Sequence, residues 1–141
     1  MQDLGDLPGG KKQSVAYDVN NSGQIVGYGY SQSGRRALLW DADGSIHDLG
    51  HLPGVGYVGY RASRINNSGV VLGFEYADGA SWLWTAGTGM LPLDSMIDPN
   101  DPLYGTGQFS MRDLNDAGIL AGNLISPTTG RTSPVLLVPQ P

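Results

Sequence analysis

The chain has 141 residues, enough for one ordinary domain, and a formal net charge of −5. With no cysteine it can build neither a disulfide framework nor a thiolate metal site. Its acidic balance argues against nucleic acid or an anionic membrane as partner, and no run approaches the roughly 18 apolar residues of a membrane span.

Asp3-Leu4-Gly5-Asp6-Leu7-Pro8-Gly9-Gly10 opens the chain and returns as Asp48-Leu49-Gly50-His51-Leu52-Pro53-Gly54. Each copy predicts a short strand ending at Leu7 or Leu52, followed by a Pro-Gly turn. Residues 16–19 predict the next strand, which Asn20-Asn21-Ser22-Gly23 reverses into a return strand over 24–30. A third strand over 37–40 and a turn at 41–44 lead to a fourth strand over 45–49. The second unit repeats the order through Ile65-Asn66-Asn67-Ser68-Gly69, a strand over 81–84 and another over 90–93. The third carries the divergent copy Leu114-Asn115-Asp116-Ala117-Gly118 and an insertion over 94–104, and it ends without a fourth strand. Gly27, Gly73 and Gly122 recur in mid-strand, which predicts close approach of a ring or backbone at each.

The asparagines that start the three turns lie 46 residues apart (66 − 20) and 49 apart (115 − 66). A period of that size means stacked or radial repeats. The units, about 2–47, 48–91 and 92–141, are each too small to bury a core alone, so they form one repeat domain. With 22 glycines, 9 prolines and no helical periodicity, the expected fold is all-β. Its units read as four-stranded β-propeller-type blades, three per chain. The strand missing at one end and spare at the other points to a six-bladed ring closed by homodimerisation. A β-trefoil or β-prism, closing within one chain, is the alternative.

The Asp-Leu-Gly-x-Leu-Pro-Gly run, the Asn-Asn-Ser-Gly turn before Gln24-Ile25-Val26-Gly27-Tyr28, and Leu38-Leu39-Trp40-Asp41 together resemble the HAF family of bacterial extracellular repeats. The resemblance covers nearly all of units one and two and, weakly, unit three. It implies export, and so an extracellular or periplasmic location, although Met1-Gln2-Asp3 lacks the layout of a signal peptide. The family's His-Ala-Phe triplet is replaced here by Arg36-Ala37-Leu38 and Ala80-Ser81-Trp82. The family has no agreed activity, so the resemblance assigns no catalytic residue.

The loops leading into each unit's first strand are expected to ring one face and carry a ligand site, with Gln13, Tyr57, Tyr60, Tyr104 and Gln108 as binding residues. Trp40 and Trp84, at equivalent positions, read as inter-blade core rather than a sugar platform, while Trp82, on the opposite face from Leu83, is left open between the two. His47, Asp48 and His51 are the catalytic candidates, because the two histidines share a face of a regular strand. Asp41 with Asp43, and Asp98 with Asn100 and Asp101, supply the closely spaced oxygen ligands that Ca2+ takes. The basic pairs Lys11-Lys12 and Arg35-Arg36 read as solvated loop charge. Standard hydrolase and nucleotide motifs are absent. The expected function is therefore an exported binding module for a glycan, peptide or small ligand. The alternative is a calcium-assisted hydrolase of the lactonase or glycosidase kind, and the expected partner in either case includes a second copy of the chain.

Overall fold

The computed structural model describes residues 1–55 and 59–140. Its strands follow from turn chemistry. Asn20 Oδ1 accepts the backbone N–H groups of Ser22 and Gln24 at 3.1 and 3.0 Å, and Gly23 takes a φ of 77° that other residues rarely adopt. This turn joins β1 (Val15–Val19) to β2 (Ile25–Ser31), and β3 (Gly34–Trp40) and β4 (Ile46–Asp48) complete an antiparallel sheet in the order β1-β2-β3-β4. The second unit gives β5 (Tyr60–Ile65), β6 (Val71–Glu75), β7 (Ser81–Thr85) and β8 (Gly89–Pro92) in the same order. The third gives only β9 (Gln108–Leu114), β10 (Leu120–Ile125) and β11 (Thr132–Leu137), with β11 and β9 as its edges. The fold is all-β, as the sequence implies. The insertion contributes one 3-10 turn, Leu93–Met96.

The registers superpose. Gly27 pairs with Leu38, Gly73 with Trp82 and Gly122 with Val135, so these positions are equivalent. A Cβ at Gly73 would collide with the Trp82 ring, and one at Gly27 with the Val15 backbone. Each first strand also carries one extra residue at the same place: Tyr17, Ser63 or Arg112. Such bulges bend an edge strand and re-aim a side chain.

Each sheet shares its core with the next. Val26 and Leu39 of the first sheet pack with Ala62, Val71, Trp82 and Met90 of the second. Leu72 of the second packs with Met111, Leu120 and Leu124 of the third. A fully buried side chain of this kind stabilises the fold by roughly 1.5–3 kcal/mol. Trp40 and Trp82 are both buried, Trp82 in the core between sheets one and two and Trp40 outside that cluster, while Trp84, expected in the inter-blade core, packs at its margin. The Trp82 indole N–H has no partner among the described residues, a cost of about 1–3 kcal/mol that accompanies seating the ring on Gly73.

One expectation is corrected. Residues 1–14 form no strand, and the fourth strand of unit one stops at Asp48. Asp3 and Asp48 each accept the N–H of the glycine two residues on, at 3.0 and 2.9 Å, and Gly5 and Gly50 have φ of 76° and 89°. A left-handed glycine locked by an aspartate bends the chain out of the sheet. Asp-Leu-Gly is therefore a connector. Leu49 and Leu52 drop from it into the core between sheets one and two. The N-terminal copy lies on the other face of sheet one, where the Trp40 Nε1–H donates to Gly5 O at 3.3 Å.

Candidate functional site

The stack has two ends. Asn-Asn-Ser-Gly turns and the turn at 41–45 lie at one, where Gln24 Nε2 donates to Asp41 Oδ1 at 2.9 Å. The loops entering each first strand lie at the other, beside the hairpins at 31–34 and 76–80. The second end carries the chain's arginine–aromatic cluster.

Arg35 lies 4.4 Å from the centre of the Tyr28 ring and 4.0 Å from that of Tyr76, and it donates to the Tyr30 hydroxyl at 3.0 Å. Burial works against its charge, but the Tyr30 hydroxyl and the neighbouring tyrosines outweigh burial and hold the guanidinium above its ordinary pKa. Arg61 and Arg112 stand 5.5 and 5.8 Å from the Phe74 centroid. Arg112 is the bulge residue of β9, which is how an edge strand turns it outward. Arg61, Phe74, Tyr76, Ser110 and Arg112 line a shallow, open cleft of about 200 Å³, room for one small group of a ligand rather than a whole drug-sized molecule. Glu75 also lines it. Burial first, then repulsion from Asp78, lift its carboxyl above the usual range, so it favours the proton-bearing form more than an exposed glutamate would.

Among the described residues, Arg35, Arg61 and Arg112 form no salt bridge, in a chain with 13 acidic and 8 basic residues.

The expected binding residues are not brought together. Tyr60 is 0% exposed, its hydroxyl accepting the Leu52 N–H at 3.4 Å, so it belongs to the core. Burial raises its pKa. Tyr57 lies outside the described residues. Gln13 is exposed at the edge of the face, and Gln108 Nε2 donates to Asp78 O at 3.2 Å beside the cleft. Tyr104 lines a separate cleft of about 300 Å³ with Asp94 and Phe109, and its described lining includes no lysine or arginine.

The catalytic candidates also separate. His47 Nε2 meets Asp41 Oδ2 at 2.6 Å, while His51 Nδ1 meets Leu52 O at 3.0 Å beyond the bend at Gly50. Asp48 pairs with Arg36 Nε at 2.7 Å and caps Gly50, a structural role. Arg36 is thus not a solvated loop charge, since its side chain is 8% exposed. Among the metal candidates, Asp43 Oδ1 accepts the Ser45 N–H, Asp98 Oδ1 accepts from Asn100, and Asp101 Oδ1 accepts the Leu103 N–H. These are turn-locking bonds. Hydrogen bonding from Ser45 also holds the Asp43 carboxyl below its ordinary range. Among the described residues no three His, Cys, Asp or Glu side chains gather as a metal site.

The arginine cluster draws on strands of three units, so residue spacing gives little sign of it. Its legible trace is the Tyr30–Arg35 pair, directly opposite across a short hairpin. No family model, curated protein or solved structure matches this chain.

Proposed function

We propose that this chain is an exported binding module whose recognition surface is the arginine–aromatic end of the stack. Its ligand is a glycan, peptide or small molecule that carries a carboxylate. The observation that carries this reading is the set of three arginines, free of salt bridges among the described residues, around Phe74 and Tyr76. Guanidinium groups offer paired N–H donors that match a carboxylate, and the adjoining rings pack against the ligand's apolar faces. Export rests on the HAF-like repeats. The three sheets are blades of a larger propeller-type ring closed by a second copy.

The test is a thermal-shift and calorimetric comparison of oligogalacturonate and a polyglutamate peptide with neutral oligosaccharides and an uncharged peptide. Acidic ligands should raise the melting temperature, less so in high salt, and the effect should vanish in the Arg61→Ala/Arg112→Ala double variant. Equal binding of neutral ligands, or an unchanged double variant, would sink the proposal.

A second reading, hydrolysis with or without Ca2+, is favoured only by the 2.6 Å His47–Asp41 pair, an imidazole oriented by a carboxylate. It requires turnover of lactone or glycoside substrates that His47→Ala abolishes and a melt that responds to chelator.

A further inference from the structure

The repeat itself shows what its two ends lack. In units one and two, the outward pair at the centre of the sheet, Val26 with Leu39 and Leu72 with Leu83, is covered by the next sheet. The equivalent pair in unit three is Ala121 with Leu136. None of the described residues covers it: Leu136 is 61% exposed where Leu39 is 3%. At the opposite end, Val19 is 58% exposed although its equivalent Ile65, seated against the preceding sheet, is 6%.

Polar groups are left over in the same pattern. Asn20 Nδ2 donates to Asn66 O, and Asn66 Nδ2 to Asn115 O. Likewise the N–H of Asn21 donates to Asn67 Oδ1, and that of Asn67 to Asp116 Oδ1. Each rung runs from one unit to the next. Among the described residues, unit three therefore ends with two donors that have no acceptor, Asn115 Nδ2 and the Asp116 N–H, and unit one begins with the two matching acceptors, Asn20 O, which like Asn66 O also takes its own turn's glycine N–H, and Asn21 Oδ1.

We infer that the open face of the third sheet receives the first unit of a second copy, head to tail, reproducing the interface that already joins sheets one and two. This rests on the reading of the sheets as ring blades and supplies its closing contact. The same register gives the edge of β11 its missing strand. Ile46–Asp48 pair with β3 through Leu38↔Asp48 and Trp40↔Ile46. Forty-five residues earlier stand Met1, Gln2 and Asp3, which in the partner's third sheet would pair Asp3 with Val135 and Met1 with Leu137. Two copies supply six sheets, inside the range of roughly four to eight that closes a ring. Because the contact joins different patches, it forms twice around a two-fold axis.

The experiment measures mass by light scattering for the wild-type chain, Val19→Glu, Leu136→Glu and an equimolar mixture of the two variants. Both substituted residues are exposed in the single chain, so circular dichroism should not change. The wild type should have twice the chain mass, each variant the mass of one chain, and the mixture should recover a two-chain particle held by one intact contact, at higher concentration than the wild type needs. That recovery is specific to a head-to-tail contact, since each variant retains the end the other has lost. A wild-type single chain at micromolar concentration, an open-ended polymer, variants that stay dimeric, or a mixture that does not associate would each overturn the inference. The wild-type mass decides the matter even if a variant fails to fold. Association lost with acidic-ligand binding retained, or the reverse, separates this contact from the recognition surface.

Discussion

Asn20 reaches across the first inter-sheet boundary to donate to the carbonyl of Asn66, 3.2 Å away. Asn66 makes the same bond to Asn115 at 3.1 Å. The first asparagine of the turns in units one and two thus does two jobs. Its Oδ1 locks its own hairpin, and its amide N–H ties that hairpin to the next unit. An aspartate could do the first and not the second, because it has no donor.

Asn66→Asp should therefore cost about 2–4 kcal/mol, since it removes the rung and places a charge at a buried position. In the single-chain Leu136→Glu background, Asn115→Asp, exposed and with no following unit, should stay within about 0.5 kcal/mol, its effect in the wild type falling on the association of two copies instead. Urea titrations of both variants check the contrast. Equal losses would mean that the turn, and not the rung, sets the effect.

The last rung gives a pH dependence. Backbone and side-chain N–H groups of Asn67 hold the Asp116 carboxyl below its ordinary range. A depressed carboxylate contributes stability above its unfolded value, near about 3.9, and loses it as the pH falls through the folded value. The melting temperature of the wild type should exceed that of Asp116→Asn at pH 6, and the gap should shrink below about pH 4. A gap independent of pH would contradict the sign.

Gly73→Ala should cost more than about 3 kcal/mol, because the new methyl meets the Trp82 ring and the Arg61 backbone. Gly87→Ala, in a turn with open space and no positive φ, should stay within about 0.5 kcal/mol. Chemical denaturation of the pair measures the difference directly.

Period and turn chemistry made the three units and their all-β character legible. Asn-Asn-Ser-Gly specifies its hairpin locally, so 20–23 and 66–69 were read correctly from residue types. The repeated Asp3-Leu4-Gly5 run suggests a strand ahead of its Pro-Gly turn, yet the aspartate and the left-handed glycine bend it away. Tyr60 looked like a loop tyrosine and is the first residue of a buried strand. Composition cannot tell these apart without the pairing register. The cluster of Arg35, Arg61 and Arg112 was invisible for a different reason. Its members lie 26 residues apart (61 − 35) and 51 apart (112 − 61), and only the stacking of sheets brings them together.

Amide chemical-shift mapping during titration with oligogalacturonate tests the recognition surface most directly. The predicted result is a saturable set of shifts at Arg61, Phe74, Tyr76, Ser110 and Arg112, with the turns at 20–24 and 41–45 unmoved. Shifts centred on His47 and Asp41, or no shifts at any ligand concentration, would contradict it.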